Sequence, residues 1–146
     1  MGIIELGNVS RTAVSMLRCR AIELGKDRPL IHDPMASFCV QRLRERASEA
    51  DRALLFERKL AASLCNYAAL RARKYDALTN EFIAAHRNCL VVNLGCGFDT
   101  RYWRIDHESC EYVELDLPEV VDLKREVLGD RLEYDLIGAS VLDHAW

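Results

Sequence analysis

No segment of the sequence is apolar over the length that a membrane span requires. A spanning helix needs about 18 to 20 consecutive, predominantly apolar residues, and charged residues interrupt every apolar stretch of this 146-residue chain before that length is reached. The first residues, M-G-I-I-E-L-G, also lack the basic segment followed by a long apolar core that marks a secretory signal peptide. We therefore expect no membrane association and a cytoplasmic location.

The six cysteines lack the spacing of a metal site or a disulfide framework. They occur singly, mostly within apolar periodic segments, and neither a C-x-x-C pair nor a cluster of histidines accompanies them. Paired cysteines of that spacing are typical of zinc sites and of redox-active dithiols. We expect buried, reduced thiols and no metal.

Charge is unevenly distributed along the chain. Residues 1–88 carry 15 Lys and Arg against 10 Asp and Glu, whereas residues 89–146 carry 5 against 13. In the basic part the positive charges are interleaved with acidic ones, as in R-L-R-E-R-A-S-E-A-D-R, and aromatic residues do not alternate with them. This is typical of a solvated helix face rather than a nucleic-acid-binding surface. With 50% hydrophobic residues, the chain has the composition of a folded domain. We expect no nucleic-acid partner.

The first 88 residues have the periodicity of helices. An amphipathic segment from Thr12 to Leu24 ends at Gly25, and the tripeptide H-D-P then places Asp33 at an N-cap and a proline at the first helical position. This capping turn is favoured over a catalytic role for the neighbouring histidine. A third helical region is predicted from about Asp51 to His86, with a break near Asn66.

The periodicity changes from helix to strand where the run C-L-V-V-N-L begins. A continuous apolar run of this length predicts a strand that is buried on both faces. A second strand is predicted at E-Y-V-E-L-D-L, a helix from Pro118 to Gly129, and a third strand from Tyr134 to Ala139. This alternation of strands and helices predicts a parallel α/β sheet.

Two glycines, Gly95 and Gly97, follow the first predicted strand directly. Glycines there allow the backbone to approach a ligand at the carboxyl ends of the strands, where open α/β sheets bind nucleotides. A dinucleotide fingerprint needs a third glycine where this sequence has Thr100, and the carboxylate of Asp99 is unfavourable beside a pyrophosphate. Asp116 ends the second strand and can accept both hydroxyls of a ribose. The pattern favours a methyl-donor nucleoside with a positive sulfonium over a nicotinamide dinucleotide.

Several segments together resemble the leucine carboxyl methyltransferase family, a branch of the class I S-adenosylmethionine-dependent methyltransferases. They are V-V-N-L-G-C-G-F-D-T-R-Y-W-R-I, Y-V-E-L-D-L-P-E-V-V, T-A-V-S-M-L-R-C-R-A-I-E, R-P-L-I-H-D-P-M-A and L-R-A-R-K-Y-D. The resemblance implies an α/β fold with an N-terminal helical segment, residues 1–88, that forms a cofactor-carboxylate arm and cap. Residues 89–146 would be the first half of a Rossmann-like, doubly wound parallel sheet, truncated after about the third strand.

The same resemblance implies the activity and a set of cofactor-binding residues. The activity is an S-adenosylmethionine-dependent O-methyltransferase that acts on a carboxylate or another oxygen nucleophile of a small molecule or a protein. The implied cofactor-binding residues are Arg18, Arg73, Gly95, Gly97, Asp99, Asp116, Ser140 and Val141. Arg73 and Arg18 would pair with the carboxylate of the cofactor, because a guanidinium binds a carboxylate through two parallel hydrogen bonds. Arg71 and Arg20 are the respective alternatives.

The resemblance also orders the site along the cofactor. Gly95 would approach the methionine part, and Asp116 would bind the ribose. Ser140 occupies a position at which the family usually has an acid that contacts the adenine. Backbone contacts from Ser140 and Val141 would then replace that acid, with Asp143 as the alternative.

No catalytic residue is predicted. The histidines at 86, 107 and 144 have no spaced partners for a triad or a metal, and an ionised carboxylate acceptor needs no general base, so positioning and desolvation would supply catalysis. Because a complete class I sheet has more strands than the three predicted here, an inactive fragment or binding remnant is the alternative, and a nicotinamide-dependent Rossmann protein is a third. On this interpretation the isolated chain lacks activity and associates with itself through the exposed sheet edge.

Overall fold

The computed structural model describes residues 8–144 and 146, which form two compact units. The helical unit contains the chain up to Lys74 together with Phe98–Thr100, and the sheet unit contains Tyr75–Gly97 and the chain from Arg101 onward. The predicted domain boundary at residues 88 and 89 marks the change from helix to strand and stays a prediction. In this described part, no helix is long and apolar enough to cross a membrane.

The helical unit begins with the helices that the sequence predicts. Its elements are α1 (Asn8–Leu24), α2 (Pro34–Arg46), α3 (Glu49–Arg52), a π-helical turn (Ala53–Glu57) and the first part of α4 (Ala62–Ala85). The predicted start of α2 is confirmed, because Oδ1 of Asp33 accepts a hydrogen bond of 3.0 Å from the backbone N of Ala36. This cap satisfies one of the amide groups that a helix leaves unpaired at its first turn.

The break in the third helical region lies earlier than predicted. The chain leaves the helix between the π-helical turn and Ala62, whereas Asn66 lies inside α4, so the prediction near Asn66 was wrong. The guanidinium of the buried Arg18 lies beside this break. It donates to the backbone carbonyl oxygens of Leu55 and Phe56, which belong to the π-helical turn before the break.

The sheet unit contains three parallel strands in the order β1–β2–β3. The strands and the helix between the last two are β1 (Cys89–Leu94), β2 (Cys110–Asp116), α5 (Pro118–Leu128) and β3 (Asp135–Gly138). Leu94 pairs in register with Leu115, and Asp116 with Gly138, so all three strands end at the same edge. The predicted parallel α/β sheet after N-terminal helices is confirmed.

Strand β1 is covered on one face rather than on both, so that part of the prediction was wrong. Val91 and Asn93 are half-buried, and Val91 packs against the cluster around Tyr112. On the other face Leu90, Val92 and Leu94 are 52, 39 and 51% exposed. An apolar run indicates that both faces of a strand are suited to burial. It does not show which part of a polypeptide covers each face.

The cysteines of the described chain are unbridged, as predicted. Four are buried, and Cys89 and Cys110 are half-buried at the start of β1 and β2. Burial raises the pKa of the Cys110 thiol, and the neighbouring Cys89 adds to this shift. Cys110 is therefore expected to be protonated and weakly nucleophilic near neutral pH.

Candidate functional site

The turn after β1 consists of Gly95, Cys96 and Gly97. The φ angles of the two glycines are +63° and +48°, a region that residues with a Cβ rarely adopt. A Cβ placed on Gly95 would meet no described atom within 4 Å, so the backbone here borders open space. Cys96 is buried against Val121 and Leu136, which anchors the turn in the core of the sheet unit. The turn therefore presents backbone at a fixed position.

Asp116 lies beside this turn at the end of β2. Its Oδ2 accepts a hydrogen bond of 2.6 Å from the backbone N of Gly97, and its Oδ1 accepts one of 2.7 Å from the backbone N of Leu117. The backbone N of Gly95 donates to the carbonyl oxygen of Leu115 at 2.8 Å. The structure thus brings together three predicted site residues, the two glycines and Asp116, at the carboxyl edge of the sheet.

The end of β3 lies next to Asp116. The backbone N of Ala139 donates to the carbonyl oxygen of Asp116 at 2.9 Å. A Cβ on Gly138 would lie 3.3 Å from Cα of Pro118, so a glycine allows β3 to approach the first turn of α5 closely. These contacts fix the direction in which the chain leaves the sheet.

Ser140 and Val141 follow in a tight turn. Oγ of Ser140 accepts a hydrogen bond of 3.2 Å from the backbone N of Leu142, and its carbonyl oxygen accepts one of 2.9 Å from the backbone N of Asp143. Val141 is exposed. The hydroxyl of Ser140 thus stabilises its own turn, and the predicted contacts of these residues with an adenine stay a prediction.

The predicted arginines of the helical unit are engaged to different degrees. Arg18 is buried, and besides Leu55 and Phe56 its guanidinium donates to the carbonyl oxygen of Arg58 at 3.0 Å. Burial lowers the pKa of Arg18. Arg73 is exposed and gives one long hydrogen bond of 3.4 Å to the carbonyl oxygen of Leu30. The roles of both arginines toward a cofactor stay predictions.

A buried group around Asp33 holds the residues that directly follow the glycine turn. Nε of Arg20 donates to Oδ2 of Asp33 at 2.9 Å, and Oγ1 of Thr100 donates to the same oxygen at 2.6 Å. Nη2 of Arg20 donates to the carbonyl oxygen of Phe98 at 2.7 Å. The sequence predicted Asp33 only as a cap and Thr100 only as a missing glycine, because no local pattern connects residues 67 positions apart.

A second pairing that sequence reasoning missed holds the short 3₁₀ helix Arg101–Arg104 of the sheet unit. The guanidinium of Arg104 binds the carboxylate of Asp76 through two hydrogen bonds of 2.7 and 3.1 Å. Arg101 forms an ion pair with the same carboxylate at 3.4 Å and lies over the ring of Tyr75. Asp76 thereby connects this helix to the second part of α4.

A buried carboxylate, Glu114, lies on the covered face of β2. It accepts hydrogen bonds from Lys124 at 2.5 Å, from the hydroxyls of Tyr112 and Tyr134 at 3.0 and 2.9 Å, and from the amide of Asn93 at 3.1 Å. Burial raises the pKa of Tyr134, and the negative charge of Glu114 raises it further. This group joins β1 and β2 to α5. Four donors bind the carboxylate of Glu114.

The chain matches the model of the leucine carboxyl methyltransferase family over residues 13–134. It belongs to this family. Among curated proteins, it is 30% identical over 98% of its length to the tetracenomycin polyketide synthesis O-methyltransferase TcmP of Streptomyces glaucescens, of which it covers 50%. It is 25% identical over 99% of its length to the S-adenosyl-L-methionine-dependent methyltransferase dpfgK of Gibberella zeae, of which it covers 51%.

A shorter match concerns leucine carboxyl methyltransferase 1 of Debaryomyces hansenii. The chain is 37% identical to it over 49% of its own length and 22% of that protein. The chain thus spans about half the length of the first two curated relatives. The family membership that the motifs predicted is confirmed. Within the described residues, no group of His, Cys, Asp and Glu is arranged to hold a metal ion.

Proposed function

We propose that the chain binds S-adenosyl-L-methionine at the turn after β1 and that the protein transfers the methyl group to an oxygen nucleophile. The observation that carries the proposal is the hydrogen bond of 2.6 Å from Gly97 to Asp116, which places a half-buried carboxylate beside two glycines with positive φ. The family match supports this proposal, and so do the names of the relatives, one an O-methyltransferase and one S-adenosyl-L-methionine-dependent.

The polar groups at the turn fit a nucleoside without phosphates. A carboxylate has about four acceptor positions, and two backbone amides occupy two of those of Asp116. The remaining positions can accept the two hydroxyls of a ribose. The open space at Gly95 leaves room for the methionine part. The negative charge of Asp99 suits a sulfonium and is unfavourable to a pyrophosphate.

When bound, S-adenosyl-L-methionine supplies a methyl group on a positively charged sulfur. The residues of this chain bind and orient the cofactor. Asp116 fixes the ribose, and the turn at Gly95 allows the backbone to lie close to the methionine part. An ionised carboxylate acceptor needs no general base, so positioning and exclusion of water are sufficient for catalysis. We therefore propose a carboxylate or another oxygen of a small molecule or a protein as the methyl acceptor.

For the carboxylate of the cofactor we favour Arg73 among the candidate arginines. Arg18 gives its hydrogen bonds to three backbone carbonyls, whereas the exposed Arg73 gives one long bond. Replacing Arg73 with Ala should weaken binding of S-adenosylhomocysteine about tenfold or more, the usual effect of losing a charge-assisted hydrogen bond. Arg71→Ala is the matched control on the same helix. Equal weakening by both variants, or an equal loss for a decarboxylated analogue, would contradict the assignment.

Self-association through the exposed sheet edge, a protein substrate and a cytoplasmic location stay predictions. The first is supported by the uncovered apolar face of β1, where Leu90, Val92 and Leu94 are exposed. Light scattering of the chain at several concentrations tests it, and a monomer at all of them would refute it.

Calorimetric titration of the 146-residue chain with S-adenosylhomocysteine, and separately with NADH, tests the proposed cofactor. We expect binding of the first ligand only, and weakening of about tenfold in Asp116→Asn, because the amide loses charge-assisted acceptor positions. The matched control is Asp122→Asn on α5, whose carboxylate is 75% exposed and pairs with the nearby Arg125 at 3.5 Å. Binding of NADH without binding of S-adenosylhomocysteine would refute the proposal.

A further inference from the structure

The three residues that follow the glycine turn are bound by a buried group of side chains. Asp33, Arg20 and Thr100 are 0, 6 and 1% exposed, and Phe98 is 2% exposed. Arg20 donates to Asp33 and to the carbonyl oxygen of Phe98, and Thr100 donates to Asp33. Both ends of the segment Phe98–Thr100 are therefore tied to α1 and to the cap of α2.

Capping of α2 does not explain this arrangement. The cap uses Oδ1 of Asp33, which accepts from Ala36, whereas Arg20 and Thr100 both bind Oδ2. Serine or asparagine caps a helix as well as aspartate does and needs no buried cation. A buried ion pair is a weak source of stability, because removing both charges from water offsets most of their attraction. The contacts of Oδ2 with Arg20 and Thr100 are therefore not required for the helix start.

We propose that Asp33 is a positioning residue, which acts through Thr100 and Arg20 to hold Phe98–Thr100 in the conformation that the cofactor requires. The inference rests on the proposed function, because the segment continues directly from Gly97. The carboxylate of Asp33 binds both Arg20 and Thr100, and the segment is thereby held at the carbonyl of Phe98 and at the side chain of Thr100. Asp99 lies between these two anchors, so its backbone is restrained as well.

The helical unit contains a second group in which an arginine and a hydroxyl bind one aspartate, and it provides a control. Arg11 binds Oδ1 of Asp51 at 3.1 Å, and Oγ of Ser48 donates to Oδ2 of Asp51 at 3.1 Å. Asp51 is buried like Asp33, but this group holds the start of α3 rather than the segment after the glycine turn. Comparing variants of the Asp33 group with variants of the Asp51 group therefore distinguishes a loss of stability from a loss of positioning of Phe98–Thr100.

The test compares Thr100→Val, Thr100→Ser and Asp33→Asn with the control Asp51→Asn in the 146-residue chain. Hydrogen exchange of the peptide that covers Gly97–Arg101 reports positioning, urea unfolding reports stability, and titration with S-adenosylhomocysteine reports affinity. Thr100→Val keeps the side-chain volume and removes the hydroxyl. Asp33→Asn keeps an oxygen for the cap and removes the charge that Arg20 binds.

We expect Thr100→Val and Asp33→Asn each to accelerate hydrogen exchange of this peptide about tenfold. Each should also weaken binding of S-adenosylhomocysteine about tenfold. Thr100→Ser should stay within about twofold of the wild type in both measurements, and Asp51→Asn should lower stability without changing either. Unchanged exchange in Thr100→Val, or equal acceleration by Asp51→Asn, would overturn the inference. If the wild-type chain does not bind S-adenosylhomocysteine, the proposed function fails, whereas the exchange rates still decide whether Asp33 positions the segment.

Discussion

The residues on the two sides of Gly97 are held in different ways. Gly95–Gly97 belongs to the sheet unit, and backbone amides there bind the carbonyl oxygen of Leu115 and the carboxylate of Asp116. Phe98–Thr100 belongs to the helical unit, and the buried side chains around Asp33 hold it. The first part thus depends on the regular end of a strand, and the second depends on a specific charged group distant in sequence.

The largest expected effect concerns the second part. Asp33→Ala leaves the guanidinium of Arg20 buried without its carboxylate, and breaking a buried pair from one side costs about 3 to 5 kcal/mol of unfolding free energy. Asp51→Ala is the control, because its partner Arg11 is 40% exposed and returns to water, whereas the side chain of Arg20 is 8% exposed. Urea unfolding of both variants measures the difference. Equal losses would show that burial of the arginine does not matter.

A smaller effect is expected on the sheet side of Gly97. Gly95→Ala places a Cβ on a residue with a φ of +63°, which costs about 1 to 2 kcal/mol of unfolding free energy. The new methyl group also enters the open space proposed for the cofactor, so affinity for S-adenosylhomocysteine should fall. Gly129→Ala at the end of α5 has a φ of +54° and the same open surroundings, and it should lose stability alone. Unchanged affinity for S-adenosylhomocysteine in Gly95→Ala would show that the cofactor does not bind at this turn.

The smallest effect is a loss of stability in acid that arises in the helical unit. Burial alone would raise the pKa of Glu23, but the ammonium of Lys26 and the backbone amide of Leu30 outweigh burial and hold it below its ordinary value. A lowered pKa contributes stability above the unfolded value of about 4.3, and this stability is lost as the pH falls through the folded pKa. Because Lys26 is 40% exposed, solvent screening keeps the effect small.

Urea unfolding between pH 7 and pH 3 checks the Glu23 effect. The stability of Glu23→Gln should depend less on pH over the acidic part of this range than that of the wild type, since glutamine does not titrate. Parallel curves for the two proteins would assign the acid dependence to other carboxylates.

The features that the sequence predicted correctly depend on neighbouring residues. The aspartate and proline that start α2, the glycine that ends α5 and the three strands are each marked by local residue chemistry. The sequence also placed Gly97 and Asp116 after neighbouring strands, and parallel, adjacent strands bring their carboxyl ends together; the hydrogen bond between the two residues was not itself predicted.

The features that the sequence did not predict depend on distant partners. Local periodicity near Asn66 could not show that Arg18 binds the carbonyls of Leu55 and Phe56, which are 37 and 38 positions from it, just before the break. The carboxylate of Asp33 is likewise shared with Arg20 and Thr100 only in the folded chain. Such partners are fixed by tertiary packing, which a single sequence does not reveal.

The most direct test of the central claim is an NMR titration of the ¹⁵N-labelled chain with S-adenosylhomocysteine. The claim is that the cofactor binds where Gly97 donates to Asp116. We predict saturable shifts of the backbone amide signals of Gly95, Gly97 and Leu117, with the signal of Gly129 unchanged as an internal control. Saturable binding that leaves these three signals in place and shifts others instead would contradict the account.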